Sequence, residues 1–219
     1  LLRSGRPVTM VLYTEAALEE PAGHGLLAEV VEAGVPAELV SDAELRAHAD
    51  TVTPQGWLAT APLPTWTWSD MDGTRLLILD AIRDPGNAGT LIRSAEALGA
   101  GGVVFLPGTA DPWGPKVVRA ASGSSLRMPV LEAEVADVLD RLREWNTPLW
   151  VAESDGEIVD RAEPRPQRLA LVLGNEGSGV SAPMRAAAER IVAIAMRGRV
   201  ESLNAGIAGA ILMDRYFGG

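Results

Sequence analysis

Three loops of the chain place polar and charged side chains directly after short apolar runs that we predict to be β-strands. The first loop turns through a Pro-Gly step and enters a helix whose start Asn87 is well placed to cap. Arg93 lies four residues after Gly89 on the same helix face, so it can lean back over the glycine toward the helix start. The positive end of the helix dipole disfavours a nearby cation unless an anion is also present. Arg83 and Arg93 together therefore indicate a phosphate ligand, against the alternative of a plain capped turn.

The second loop is rich in glycine and carries one carboxylate. Gly174, Gly177 and Gly179 surround Glu176 and allow a ligand to approach the backbone closely. Their order is wrong for a dinucleotide-binding fingerprint, and the sequence contains no phosphate-loop motif. Taken alone, this loop is equally compatible with a glycine-rich turn of no function.

The third loop is basic and runs from a predicted strand into the last helix. Arg197 and Arg199 are followed by Ser202 and Asn204, which puts two cations and two neutral hydrogen-bonding groups at one strand end. Ligands of open α/β sheets bind beyond the carboxyl ends of the strands. This set of residues favours a binding site over a solvated loop.

The elements that position these loops alternate along the chain. Short apolar strands separated by helices predict a mainly parallel sheet covered on both faces, and therefore an α/β fold in both halves of the chain. The predicted strands are 8–13, 37–40, 57–61, 76–79, 103–106, 128–131, 149–152, 169–173 and 191–195. The predicted helices are 25–33, one opened by a capping box at Ser41, 88–98, 116–121, 135–145, 183–188 and 203–216.

Charge and composition divide the chain into two parts. Residues 1–72 hold three arginines and eleven Asp or Glu, a net charge of −8, whereas the remaining residues are close to neutral at −2. The stretch 62–72 contains two prolines and no periodic pattern, so we predict a domain over 1–61, a linker over 62–72 and a second domain over 73–219. The total charge of −10 argues against nucleic acid as a partner, because phosphate binding usually needs a basic face.

The composition excludes several classes of protein. With no cysteine and two histidines, the chain offers no disulfide framework, no thiolate metal site and no cysteine nucleophile, so we expect no metal. The apolar stretch 205–213 is far shorter than the roughly 20 residues that span a bilayer. We therefore expect no membrane segment and a cytoplasmic location.

Taken in order, the three loops resemble the motifs of the SpoU/TrmH family of RNA ribose 2′-O-methyltransferases. The matching blocks are Asp84-Pro85-Gly86-Asn87-Ala88-Gly89 with Arg93, then Leu173-Gly174-Asn175-Glu176-Gly177, then Ser202-Leu203-Asn204. The resemblance spans about residues 75–216 and implies a trefoil-knotted SPOUT methyltransferase domain that binds S-adenosylmethionine and works as a homodimer. The part before it is similar to the small RNA-binding domain that many members carry, and its opening on Leu1-Leu2 without methionine predicts that this domain is truncated at its start.

The resemblance also implies roles for individual residues. Arg93 is expected to engage the target phosphate and to help deprotonate the 2′-hydroxyl; since arginine stays protonated, phosphate positioning and charge stabilisation are the safer assignment. Asn87 is expected to orient Arg93 or the substrate, and three further residues to hold the ribose and the backbone around the methyl donor: Glu176, Ser202 and Asn204. The residues expected to bind the cofactor are Gly174, Ile194 and Leu203, with Leu173 and Met196 as apolar walls.

The sequence departs from the family pattern at two positions, and two alternative functions stay open. Ala195 stands where the family usually has proline, and Asn175 where a smaller residue is commoner. The expected substrate is ribosomal RNA ahead of transfer RNA. The alternatives are an RNA-binding protein that keeps this fold without catalysis, which intact Arg93, Glu176 and Asn204 disfavour, and a nucleotide-dependent oxidoreductase, which the glycine order disfavours.

Overall fold

The chain folds into two compact units. A computed structural model describes residues 1–51, 53–160, 162–196, 198 and 202–218, and it divides the chain into Leu1–Pro64 and Thr65–Gly219. This division falls inside the predicted linker over 62–72. The second half of that stretch is part of the second unit, where Trp66, Trp68 and Met71 pack against its hydrophobic clusters. The predicted basic residues Arg197 and Arg199 lie outside the described residues.

The first unit is a small α/β layer structure around a three-stranded sheet. Its elements are β1 (Met10–Tyr13), α1 (Glu15–Glu19), α2 (Gly23–Glu32), β2 (Ala37–Leu39), α3 (Asp42–His48) and β3 (Trp57–Thr60). The strand order is β2-β1-β3; β2 is parallel to β1, but β3 is antiparallel to it. The expectation of a mainly parallel sheet is thus wrong for this unit, because alternation of strands and helices does not fix the direction of the last strand.

Side-chain caps set the starts of α1 and α3 in the first unit. The capping box predicted at Ser41 is present: Ser41 Oγ accepts a hydrogen bond from Glu44 N at 3.2 Å, and Glu44 Oε2 accepts one from Ser41 N at 2.9 Å. These hydrogen bonds hold the pKa of Glu44 below its ordinary value. The short helix α1, which the sequence analysis missed, begins where Thr14 Oγ1 accepts from Ala17 N.

The second unit is built on a six-stranded sheet whose strand pairs are all parallel. Its elements are β4 (Arg75–Asp80), α4 (Pro85–Ala97), β5 (Gly102–Phe105), α5 (Pro115–Ala121), β6 (Val130–Glu132), α6 (Val135–Trp145), β7 (Leu149–Ile158), β8 (Leu169–Gly174), α7 (Ala182–Ala187), β9 (Arg190–Ala193) and α8 (Ala205–Tyr216). The strand order is β6-β5-β4-β8-β7-β9. The α/β fold with a parallel sheet is therefore confirmed for this unit.

Helices cover both faces of this sheet, as its continuous apolar strands require. Successive residues of β4 enter opposite clusters: Leu77 and Leu79 pack with helices α4, α5 and α8, whereas Leu76 and Ile78 pack with α6 and α7. All four side chains are fully buried. The core is thus two hydrophobic layers with the sheet between them, and it leaves the strand ends to carry the polar loops.

Three local predictions need correction. Asp84, not Asn87, caps α4, since Asp84 Oδ1 accepts from Asn87 N at 2.7 Å. The last helix begins two residues later than predicted, with Asn204 as its cap. Strand β7 extends to Ile158, well beyond the apolar run that predicted an end at 152, because residues 157 and 158 rejoin β9 after a register shift.

Candidate active site

The candidate site lies where the chain switches from one half of the parallel sheet to the other. Strands β4 and β8 are neighbours although they are far apart in sequence, and their last residues, Asp80 and Gly174, are paired in register. The loop into α4 and the glycine-rich loop therefore leave the sheet side by side. This is the topological switch point at which open α/β sheets bind their ligands.

One residue from each of the three sequence motifs joins a single hydrogen-bonded network. Asn87 Nδ2 donates to Glu176 Oε1 at 2.9 Å, and Asn204 Nδ2 donates to Asn87 Oδ1 at 2.8 Å. Glu176 Oε1 also accepts from Ala205 N at 3.2 Å, and Asn204 Oδ1 accepts from Ile207 N at 3.3 Å. The amide of Asn87 therefore uses both its ends to connect the glycine-rich loop with the start of α8.

Glycine is required where the second loop folds back on itself. A Cβ on Gly174 would lie 2.4 Å from the carbonyl carbon of Gly179 and 2.5 Å from Val180 N, and contacts this short do not occur in proteins. Gly179 adopts a φ of 69°, a left-handed conformation that favours glycine. The glycines thus serve the fold of the loop itself, which presents Glu176 at its exposed tip.

A cleft of about 430 Å³ opens beside this network. Its size is within the range of small-molecule sites. It is lined by all five residues that the resemblance assigned to the cofactor: Leu173, Gly174, Ile194, Met196 and Leu203. Glu176 and Ser202 line it as well. The structure therefore brings together the residues of two motifs and of the loop after β9 around one cavity.

Sequence reasoning missed the wall of the cleft that the middle of β7 forms. Glu153, Ser154 and Asp155 line the cavity at the point where β7 departs from β9. Glu153 is held by Val180 N, which donates to its Oε1 at 3.3 Å, and by Arg185, whose Nε lies 3.0 Å from its Oε2. A run of polar residues directly after the apolar run 149–152 was the available signal. Arg185 also pairs with Asp155, through Nη2 at 3.1 Å, and so offsets part of the charge of these two acids. Together with Glu176, the three carboxylates exceed this one arginine in charge, which suits a cationic ligand.

Arg93 is exposed on α4 and does not belong to the hydrogen-bonded network. Its Nη1 donates to Ser122 Oγ, at the end of α5, over 3.3 Å. The expectation that Asn87 orients Arg93 is not what the described contacts show, since Asn87 bonds Glu176 and Asn204. Nor does Gly89 leave a path for Arg93 to the helix start: a Cβ there would lie 2.5 Å from Ala120 Cβ, because α5 packs against it.

Two features are absent from the part of the chain that the structure describes. Among those residues, no group of three or more His, Cys, Asp or Glu side chains is placed to hold a metal ion. In the same residues, no helix is both long and apolar enough to cross a membrane.

The three motifs that meet at the switch point of the parallel sheet belong to a family of methyltransferases. The chain matches the SpoU rRNA Methylase family over residues 74–214, and it belongs to this family. The resemblance drawn from the three sequence blocks is thereby confirmed.

Its relatives include proteins with assigned RNA substrates. The 23S rRNA (guanosine(2553)-2′-O)-methyltransferase RlmP of Bacillus subtilis is 32% identical over 183 residues, 84% of this chain and 73% of that protein. A further relative, the uncharacterized tRNA/rRNA methyltransferase slr1673 of Synechocystis sp., is 34% identical over 179 residues, 80% of this chain and 65% of that protein. The crystal structure of the SpoU methyltransferase AviRb from Streptomyces viridochromogenes, in complex with AdoMet, aligns with a TM-score of 0.84 and 25% identity, covering 98% of this chain and 83% of that one.

Proposed function

We propose that this chain transfers a methyl group from S-adenosylmethionine to a ribose 2′-hydroxyl of RNA. The observation that carries the proposal is the junction of Asn87, Glu176 and Asn204 beside a cleft lined by the residues expected to hold the cofactor. Ribosomal RNA is the favoured substrate, because RlmP, which aligns over 84% of this chain, is named for it. Transfer RNA is the alternative substrate, because a second relative is named as a tRNA/rRNA methyltransferase.

The cleft suits S-adenosylmethionine by its chemistry. Leu173, Ile194 and Leu203 provide apolar surface for the adenine and methionine parts, and the carboxylates of Glu153 and Glu176 face the same cavity, where a sulfonium and an ammonium would be stabilised. When bound, S-adenosylmethionine supplies a methyl group already activated by the positive sulfur. The residues of the chain then have to align the acceptor hydroxyl and assist removal of its proton.

The polar network is proposed to hold the ribose. Glu176 Oε1 accepts hydrogen bonds from Asn87 and from the first backbone N–H of α8. These two bonds fix the carboxylate and thereby orient its other oxygen, Oε2. Ser202 and Asn204 come from the segment that enters α8 beside the same cleft. Asn87 acts here by positioning Glu176 and Asn204.

Arg93 is proposed to bind the phosphate next to the target ribose. Its guanidinium is exposed, and a single 3.3 Å hydrogen bond to Ser122 occupies one of its five N–H donors among the described contacts. A planar guanidinium matches the geometry of a phosphate, and its fixed charge stabilises the negative charge that develops on the ribose oxygen.

We further propose a homodimer with the trefoil knot of the family. Ile207 and Ile211 are 53% and 40% exposed, and their spacing places them on one face of α8. A different, buried face of α8 packs against α4, since a Cβ on Gly206 would contact Thr90 Cγ2 at 3.4 Å. A partner subunit covering the two isoleucines would therefore lie beside the contact between α8 and α4, the helix that carries Arg93. The knot is proposed because the SpoU/TrmH resemblance implies it and the chain belongs to that family.

The first unit is proposed to contact the RNA substrate as a separate domain. Tyr13 and Trp57 are half-buried and stack with ring centroids 5.5 Å apart, and aromatic faces of this kind bind unpaired bases. Few phosphate contacts are expected from a unit so rich in acid. A cytoplasmic location, consistent with a cysteine-free chain, completes the proposal.

The experiment that tests the proposal combines cofactor binding with methyl transfer. Calorimetry should detect S-adenosylmethionine and not NADH, and absence of S-adenosylmethionine binding would overturn the function. Arg93→Ala should keep cofactor affinity while lowering transfer of labelled methyl groups to ribosomal RNA by about 100-fold or more. Arg143→Ala is the matched control, since this exposed arginine lies on α6, on the opposite face of the sheet. Unchanged transfer by Arg93→Ala would contradict the role of Arg93.

A further inference from the structure

Asn175 makes an unusual number of contacts for a loop residue next to a cofactor cleft. Its Oδ1 accepts hydrogen bonds from Gly177 N at 2.9 Å and from Ser178 N at 3.1 Å. Its backbone exchanges two further hydrogen bonds with Gly179, of 3.1 Å and 2.9 Å. These four bonds define the shape of the turn that carries Glu176 at its tip.

A fifth contact leaves the loop. Asn175 Nδ2 donates to the carbonyl oxygen of Ala81 at 3.0 Å, and Ala81 is the first residue after β4. Ala81 has a φ of 56°, a left-handed conformation that costs a residue with a Cβ about 1 kcal/mol and needs compensating contacts. The bond from Asn175 is such a contact, and it joins the β8 loop to the turn that leads into α4.

The far end of the same loop is tied to the same strand end. Ser181 N donates to Asp80 Oδ2 at 2.7 Å, and Asp80 is 4% exposed. The loop between Gly174 and Ser181 is therefore fastened at both ends to two consecutive residues, Asp80 and Ala81. Between the two ties lies Glu176, whose carboxylate must meet Asn87 on α4 at 2.9 Å.

We infer that Asn175 is a positioning residue for methyl transfer: its amide fixes the β8 loop against the β4 turn and so places Glu176 and one wall of the cofactor cleft. This inference rests on the proposed function. The side chain works through two separable groups. The amide oxygen shapes the turn, and the amide nitrogen sets the turn's position relative to Asn87.

Three substitutions separate the two groups, with calorimetric affinity for S-adenosylmethionine as the measurement. Asn175→Asp keeps an oxygen for Gly177 N and Ser178 N but turns a carboxylate oxygen toward the Ala81 carbonyl. Asn175→Ser keeps a shorter acceptor and cannot reach Ala81, and Asn175→Ala removes both groups. If the tie to Ala81 matters, the serine variant should bind about 3- to 10-fold more weakly than wild type, and the aspartate variant more weakly still.

Protonation gives a readout that a merely structural role would not move. In the Asn175→Asp variant, the protonated carboxyl regains an O–H that can donate to Ala81 O, so the deficit of this variant relative to wild type should shrink as the pH falls from about 7.5 to about 4, where an aspartic carboxyl takes up its proton. The deficit of Asn175→Ser should stay constant. Glu153 and Glu176 line the same cleft in wild type and in the variants, so wild type measured at each pH corrects for pH effects that do not come from residue 175. Asn146→Asp, the same exchange at the end of α6, is expected to bind like wild type.

The outcomes are distinct. Wild-type affinity in both the aspartate and the serine variants, or a loss confined to Asn175→Ala, would overturn the inference, because the turn alone would then suffice. An aspartate deficit that does not change with pH relative to wild type would also overturn it. If wild type itself fails to bind S-adenosylmethionine, the proposed function falls first. Weak binding by both variants, with recovery at low pH for the aspartate variant only, is the expected result.

Discussion

Replacing Gly89 by alanine should raise the helix propensity of α4 and, at the same time, crowd its packing against α5. Alanine in a helix interior is favoured over glycine by about 1 kcal/mol. The added Cβ, however, would lie 2.5 Å from Val117 O and 2.9 Å from Ala121 N, both backbone atoms of α5. Side chains cannot relieve these contacts by rotating, so α5 must retreat by about 1 Å to restore ordinary separations.

The packing cost should exceed the gain in propensity. Inserting a methyl group into a close-packed core typically costs about 1–3 kcal/mol, and the upper half of that range applies where backbone has to move. We expect Gly89→Ala to lower the free energy of unfolding of the second unit by about 1–2 kcal/mol. The retreat of α5 also moves Ser122 away from Arg93.

Urea denaturation followed by circular dichroism measures this change. Gly25→Ala is the control, because Gly25 also lies inside a helix, α2, and its added Cβ would meet nothing within 4 Å. That variant should be more stable than wild type by about 0.5–1 kcal/mol. If Gly89→Ala proved as stable as wild type or more stable, the close approach of α4 and α5 would be refuted, and the gap over Gly89 would again be open to Arg93.

Two further predictions concern assembly and pH. Ile207→Arg combined with Ile211→Arg should convert the proposed dimer to a monomer, as measured by light scattering. Ile158→Arg, at another exposed isoleucine, should leave the protein a dimer. A double variant that stays dimeric would place the interface elsewhere. Glu96 forms a two-pronged pair with Arg127 at 2.6 and 2.7 Å, which lowers the pKa of Glu96 from its ordinary value of 4.5. The pair therefore stabilises the fold above about pH 4.5 and loses this effect as the pH falls through the lowered pKa of Glu96. Glu96→Gln should be less stable than wild type by under about 1 kcal/mol at about pH 7 and equally stable near about pH 3. The same stability difference at both pH values would contradict the assignment.

Much of the second unit could be predicted from periodicity and caps. The amphipathic run 135–145 became α6 with the predicted bounds, and each apolar run from 76 to 195 became a strand of the parallel sheet. Boundaries failed where long-range contacts decide them. Strand β7 continues past its apolar run because β9 pairs with residues 157 and 158, and no local pattern records that partner.

The candidate site shows the same division. Asp84 and Asn87 both favour helix starts, and Pro85 at the first helical position selects Asp84 locally. The contact of Asn87 with Glu176, 89 residues further along the chain, leaves no such local signal. Gly89 was expected to leave room for Arg93, yet its missing side chain admits α5. Glu153 escaped notice because its role depends on a register shift between two strands.

By itself the sequence determined the local facts: which segments form strands and helices, the absence of cysteine chemistry, and the three loops whose residues carry the chemistry. Local propensity, capping and side-chain type fix these features within a few residues. Only the tertiary structure decided that Asn87, Glu176 and Asn204 meet, that Asn175 ties two loops together, and that the residues predicted to bind the cofactor line one cleft. The physical reason is the strand order, which pairs β4 with β8 across some 90 residues of chain, so that hydrogen bonds and packing between distant segments select one arrangement among the many that the local pattern allows.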